Sequence, residues 1–344
     1  MRIDSPKSQY PMRKAYPDID TFRLVAAILV VAIHTSPLTS FNGYADFLLT
    51  RIVGRVAVPF FFMVTGFFLY KDEIIQRNKL ISFLKKTSLY YLGAILLYLP
   101  VNWYSGYFKS GNLGFTVVRD VLLDGTMYHL WYLPAAITGS IIAYYALKHL
   151  SLKGAFLFTF CLYVAGVLGD SYYGLTKSVP VLNGIYNGLF RVMDYTRNGI
   201  FFAPVFFVLG AMLKKRRCEF RLSIIFTVIF MVLMAAEGTI LKDNNFMRHD
   251  SMYLLLIPLM YFLFSMLLHR RGTQNHGFRD ISLIIYIIHP LIIILIRGAS
   301  KVLGIERWTV YNSLLHFILT VIFSVLIALI ITTLKSKVRL RYHV

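Results

Sequence analysis

Asn312-Ser-Leu-Leu-His-Phe-Ile-Leu-Thr-Val-Ile-Phe-Ser-Val-Leu-Ile-Ala-Leu-Ile-Ile-Thr-Thr-Leu334 runs for 23 residues without a charge, then meets Lys335, Lys337, Arg339 and Arg341. A helix rises about 1.5 Å per residue, so roughly 20 apolar residues cross a bilayer core of about 30 Å. The run is apolar all round rather than striped, which suits a lipid surround. Similar runs recur back to Thr21. We read spans at 21–37, 52–70, 79–100, 130–148, 153–168, 198–213, 220–238, 250–268, 278–298 and 312–334. One soluble core cannot bury that many such helices, and nothing long enough to fold separately lies between them. The expected fold is all-α: a polytopic membrane protein of about ten transmembrane helices.

Composition agrees. Hydrophobic residues make up 57% of the 344 and charged residues 15%, against about a quarter charged in soluble domains. The formal charge is +20. A nucleic-acid binder would gather such charge on one soluble domain, and no such domain is present. The positive-inside rule accounts for it instead. Counted by alternate loops, 23 basic residues fall on one side, from Arg2, Lys7, Arg13 and Lys14 to the C-terminal cluster, and 11 on the other. That asymmetry puts both termini in the cytoplasm, in a multi-pass cell-membrane protein. Residues 1–20 are then a cytoplasmic segment, 21–334 the membrane domain and 335–344 a basic cytoplasmic tail. The polar start is not a cleaved signal peptide. Cys161 and Cys218 suggest neither a disulfide nor a metal site.

Charges inside a membrane cost on the order of 2.5–3.5 kcal/mol each on insertion scales, and usually line a cavity. Arg23 and His34 share the first span. Eleven residues place them roughly 16 Å apart along the axis and on nearly one face. Either the pair lines a cavity, or Arg23 snorkels to lipid and His34 bonds a neighbouring helix. Asp20 can cap the helix start. The second span carries Arg55, Pro59, Phe60–Phe62 and the small pair Thr65-Gly66, which suits close helix packing. Arg55-Val-Ala-Val-Pro-Phe-Phe-Phe-Met-Val-Thr-Gly66 is echoed by Arg197-Asn-Gly-Ile-Phe-Phe-Ala-Pro-Val-Phe-Phe-Val-Leu-Gly210. Either an internal repeat or aromatic-rich composition produces that match.

More polar groups gather at the outer ends: His129 before Trp131-Tyr132, Asp170, Glu237, and Arg248-His-Asp-Ser251. Arg191, Asp194 and Arg197 are spaced for a charge ladder on one helical face. His289-Pro290 breaks the ninth span. The outer loops 101–129 and 169–197 are long, with amphipathic pieces such as Phe115–Leu123. Arg and His beside Asp and Glu suit a zwitterionic amino acid, Arg for its carboxylate and an acid for its ammonium.

The Arg23–His34 stripe with Arg55–Gly66 resembles the acyltransferase-3 superfamily of membrane proteins. Tyr128-His-Leu-Trp-Tyr-Leu-Pro134, Thr138-Gly-Ser140, Gly169-Asp-Ser171, Thr196-Arg-Asn-Gly-Ile-Phe-Phe202 and His249-Asp-Ser-Met-Tyr253 resemble the membrane domain of VanT-type serine racemases of vancomycin-resistant bacteria. The resemblance implies a membrane half that takes up L-serine and a cytoplasmic racemase half that holds pyridoxal phosphate. The D-serine made would enter peptidoglycan precursors that bind vancomycin weakly. The sequence ends just after the tenth span, so the racemase half and its cofactor lie outside it.

Two functions follow as expectations. In the first, the domain binds L-serine, with Arg23, His34, Arg55, His129, Arg197, Glu237 and Asp250 lining the path. Arg55 or Arg197 would meet the carboxylate, Glu237 or Asp250 the ammonium, and helices broken at Pro59, Pro204 and Pro290 would move. No cofactor is expected in this segment, and its partners are L-serine, the bilayer, the racemase domain and, compatibly, a second copy in a homodimer. In the second, the superfamily resemblance makes His34 the general base of an acyltransferase, with acyl-CoA as donor and Arg23 near its phosphates.

Overall fold

The computed structural model describes residues 16–71, 74–109, 111–272 and 276–341. Arg2, Lys7, Arg13 and Lys14 of the expected N-terminal segment and the final three residues of the tail lie outside these. The principal helices among the described residues are α1 (Pro17–Thr35), α2 (Ala57–Leu69), α3 (Arg77–Tyr104), α4 (Tyr132–His149), α5 (Leu152–Leu168), α6 (Ala203–Lys215), α7 (Phe220–Asp243), α8 (Leu256–Leu267), α9 (His276–Leu303) and α10 (Ser313–Arg341). Each overlaps one range read from hydropathy. Five helical stretches among the described residues are long and apolar enough to cross a membrane: Gly43–Leu69, Arg77–Tyr104, Phe220–Asp243, Gly277–Leu303 and Ser313–Lys335. One small departure from all-α is an antiparallel pair, β1 (Tyr70–Lys71) with β2 (Ile74–Ile75), that turns the chain from α2 into α3.

Helices α2 and α6 form the centre. Phe60, Phe62, Phe206 and Phe207 are wholly buried. A Cβ added at Gly66 would sit 2.1 Å from the Phe207 carbonyl oxygen, and one at Gly210 would sit 2.2 Å from that of Met63. The two contacts are images of each other: 66 maps onto 210 and 63 onto 207 by the same shift. The echoed segments therefore pack face to face with local two-fold symmetry, each glycine admitting the other helix's backbone. Around this centre, α3, α7 and α10 turn apolar residues outward, among them Leu89, Val228 and Ile330. An apolar exterior over so many helices suits lipid.

Local chemistry explains where helices depart from the hydropathy ranges. The second span starts earlier than read, at Gly43, and passes through a wide turn at Leu48–Ile52 and a tight one at Val53–Val56 before α2. Pro59 has no N–H to offer the Arg55 carbonyl four residues back, so the regular ladder cannot extend through that turn. Pro204 does not break a helix. It sits in the first turn of α6, where a missing N–H costs nothing, and the chain before it is turned by Asn198 Oδ1 accepting from the Ile200 and Phe201 amides at 2.9 and 3.1 Å. Residues 250–255, read as the start of a span, are not helical. The expected Arg191–Arg197 ladder does not form either, because that stretch is turn and irregular chain. Of the amphipathic pieces, Leu113–Arg119 is helical and runs into a wide turn at Asp120–Asp124.

Candidate functional site

A file of polar side chains runs between α1 and α9, where Arg23 and His34 share a face as their spacing predicts. At one end Arg23 pairs with Asp20 at 3.4 Å and feels the charge of Arg279 on α9. At the other the His34 and His289 rings stack with centroids 5.3 Å apart. His129 meets His289 at 5.4 Å, and Tyr128 meets His34 at 4.8 Å. Between the two ends lie Tyr132 and Tyr286, with centroids 5.3 Å apart. The α9 members, Arg279, Ser282, Tyr286 and His289, recur at three- and four-residue steps, which is one helical face. The histidines meet ring to ring, and among the described residues no three His, Cys, Asp or Glu side chains converge as metal ligands.

Pro290 opens the α9 ladder at this level, and two side chains repair it. The Tyr98 hydroxyl donates to the Ile287 carbonyl at 2.7 Å and accepts from the Leu291 amide at 3.2 Å. It stands inside a bond that an unbroken helix would make directly. His289 Nδ1 lies 2.9 Å from the Tyr286 carbonyl, the group Pro290 leaves without its usual donor. A carbonyl only accepts, so Nδ1 carries the hydrogen and Nε2 is left as an acceptor. That Nε2 is buried with no partner. The Tyr286 hydroxyl donates to the His129 carbonyl at 2.6 Å and fixes the loop that leads into α4.

A charged cluster adjoins the histidines. Arg55, its side chain 7% exposed, donates to Asp250 Oδ1, and Arg51 lies 3.4 Å from the other oxygen. Arg197 donates to the Ser251 hydroxyl at 3.2 Å and stacks over Tyr195. Both arginines lie near enough to His34 to act on it electrostatically. Non-helical chain at 250–255 holds the cluster in place. Its buried amides need acceptors, because neither lipid nor a helix supplies them. Asp170 Oδ1 accepts from Ser251 and Met252 at 2.7 and 2.9 Å. The Glu237 carboxylate accepts from Leu254 and Leu255 at 2.7 and 3.0 Å, and from the Tyr172 hydroxyl. Burial pushes the Asp170 carboxyl up to about 6, despite its two amide donors and the nearby arginines.

The structure thus brings together His34, His129, Arg55, Arg197 and Asp250. Arg23 stands at the far end of the file. Glu237 is engaged by backbone and Asp250 by two arginines, so neither expected ammonium partner is free. Sequence reading missed Tyr98, His316 and the site role of Arg297. Arg297 and His316 join His34 around an open pocket of about 450 Å³ that Ser40, Tyr311 and Ser313 also line. The i+8 step from His289 to Arg297 on one face is the signal that could have found Arg297. Nothing in the sequence singles out Tyr98.

Apolar helices facing outward around a buried polar file define a membrane protein with an internal site. The chain belongs to the acyltransferase-3 family: the family's sequence profile, described as an acyltransferase domain, matches residues 16–333. Two relatives from Enterococcus faecalis named amino-acid racemase are 45% and 40% identical to it, over 95% and 93% of this chain and 46% of each relative. A serine/alanine racemase of Enterococcus gallinarum is 37% identical over 88% of this chain and 44% of its own length. The chain spans about half the length of the curated relatives it matches. No solved structure matches it.

Proposed function

We propose that this chain is the membrane domain of a serine racemase system, binding L-serine and carrying it inward for conversion to D-serine. In this reading ten helices cross the cell membrane with both termini in the cytoplasm, and the product supports vancomycin resistance through altered peptidoglycan precursors. The observation that carries it is 37–45% identity, over 88–95% of this chain, to about half the length of proteins named as racemases, in a chain whose polar groups form a file through the bundle. Pyridoxal phosphate would be held by a racemase domain, and none of the residues described above is assigned to it. The file from His34 to Arg23 is the proposed route, and the α9 interruption at Pro290 the proposed point of movement.

An acyltransferase is the second reading. The family description favours it, as does His34 lining an open pocket while Arg23 stands at the opposite end. A base at one side and a phosphate-binding cation at the other would suit transfer from acyl-CoA to an outer acceptor. Ligand-induced thermal stabilisation separates the two, because a ligand that binds the folded state raises its stability. With the purified chain in lipid nanodiscs, L-serine raises the midpoint in a saturable way and acyl-CoA does not. Stabilisation by acyl-CoA alone would overturn the uptake reading.

A further inference from the structure

The pocket at the His34 end is walled by the last turn of α1, the turn Ser36–Ser40, the second half of α9 and the start of α10. Its walls are tied together. The Ser40 amide donates to the Ser313 hydroxyl at 3.1 Å, the Ser313 amide returns to the Ser40 hydroxyl at 3.2 Å, and Ser313 Oγ donates to the Pro37 carbonyl at 2.8 Å. Such reciprocal bonds hold the cavity open before any ligand arrives.

Three groups give it chemistry. Arg297 has no ion-pair partner among the described residues, in contrast to Arg55. His316 is 2% exposed. Its Nδ1 lies 3.1 Å from the Thr309 carbonyl, so Nδ1 carries the hydrogen and Nε2 is an acceptor. That Nε2 is buried without a partner. His34 is the third. No carboxylate is among the lining residues. The nearby Asp46 is turned away, accepting from the Leu38 amide at 2.9 Å and holding Thr50. The surroundings therefore favour a ligand with an anionic end and a separate hydrogen-bond donor.

We propose that this pocket is the entry site for a free α-amino acid, with Arg297 taking the carboxylate and His316 Nε2 accepting from the ammonium or hydroxyl. The proposal rests on the uptake reading and moves the first binding step away from the Arg55–Asp250 pair. A guanidinium meets a carboxylate through two parallel donors, whereas an ester presents no charge to it. A cavity of this size lies within the range of small-ligand pockets, about 300–1,000 Å³.

The test is equilibrium binding of radiolabelled L-serine to the purified chain in nanodiscs, competed by unlabelled L-serine or by its methyl ester. Wild-type protein should prefer acid to ester by about tenfold or more, the worth of a hydrogen bond to a charged group. Arg297→Gln should weaken L-serine by a similar factor and bring acid and ester level. Arg297 is exposed, so this variant should fold, and its thermal midpoint checks that. His316→Ala should weaken both ligands alike. Wild-type binding with an Arg297→Gln variant that still binds and still discriminates would overturn the pocket and leave the uptake reading standing. No L-serine binding by folded wild type would remove both.

Discussion

The imidazoles of His34 and His289 stack 5.3 Å apart, joining α1 to α9 at the level where Pro290 interrupts the α9 backbone. The break leaves polar backbone groups deep in the bundle, and the Tyr98 hydroxyl is their substitute partner. Tyr98→Phe removes one oxygen and leaves the Ile287 carbonyl and the Leu291 amide unpaired. We expect a loss of about 1–3 kcal/mol, measured by unfolding in detergent. An unchanged midpoint would mean the α9 ladder closes without Tyr98.

Asp250 sits between two arginines of different burial. Asp250→Ala leaves the Arg55 guanidinium charged and nearly inaccessible, at a cost of about 3–5 kcal/mol. Arg51 is 35% exposed, so Arg51→Ala should cost less than about 1 kcal/mol. A double-mutant cycle on Arg55 and Asp250 should show strong coupling, and the same cycle on Arg51 and Asp250 little. Equal coupling in both cycles would contradict the geometry.

Gly66 and Gly210 each admit the backbone of the facing helix. Replacing either by alanine forces α2 and α6 apart and should destabilise by about 1–3 kcal/mol. Because the contacts are symmetric, the two variants should behave alike, as thermal unfolding would read. A silent Gly210→Ala beside a damaging Gly66→Ala would break the symmetry.

Asp170 gives a pH signature. Its folded carboxyl is pushed up to about 6 by burial, above the unfolded value of about 3.9. The folded state therefore binds the proton more tightly. The stability this contributes is full below about pH 4 and is lost as pH rises to about 6. Relative to Asp170→Asn, wild type should be more stable at pH 4 than at pH 7. A difference independent of pH would show that the carboxyl titrates normally.

The helical architecture was legible in the sequence because lipid exposure writes itself as long uncharged runs, as at 312–334. The Arg23–His34 stripe was legible too, since helical spacing alone sets its face. The roles of Glu237 and Asp170 were not. Both carboxylates answer to a non-helical stretch at 250–255, and hydropathy does not distinguish an apolar helix from apolar extended chain. Pro204 breaks nothing because it falls in the first turn of α6, and hydropathy does not mark where a first turn lies. The packing of the echoed segments required coordinates, since composition alone can repeat Arg, Phe-Phe and Gly.

Uptake of labelled L-serine into liposomes containing this chain, with His34→Ala and Arg55→Ala beside it, tests the central claim most directly. The account predicts saturable uptake by the unaltered chain, competed by excess unlabelled L-serine and lost in the His34 variant. Uptake no greater than in empty liposomes, from protein shown to be folded and correctly oriented, would contradict it.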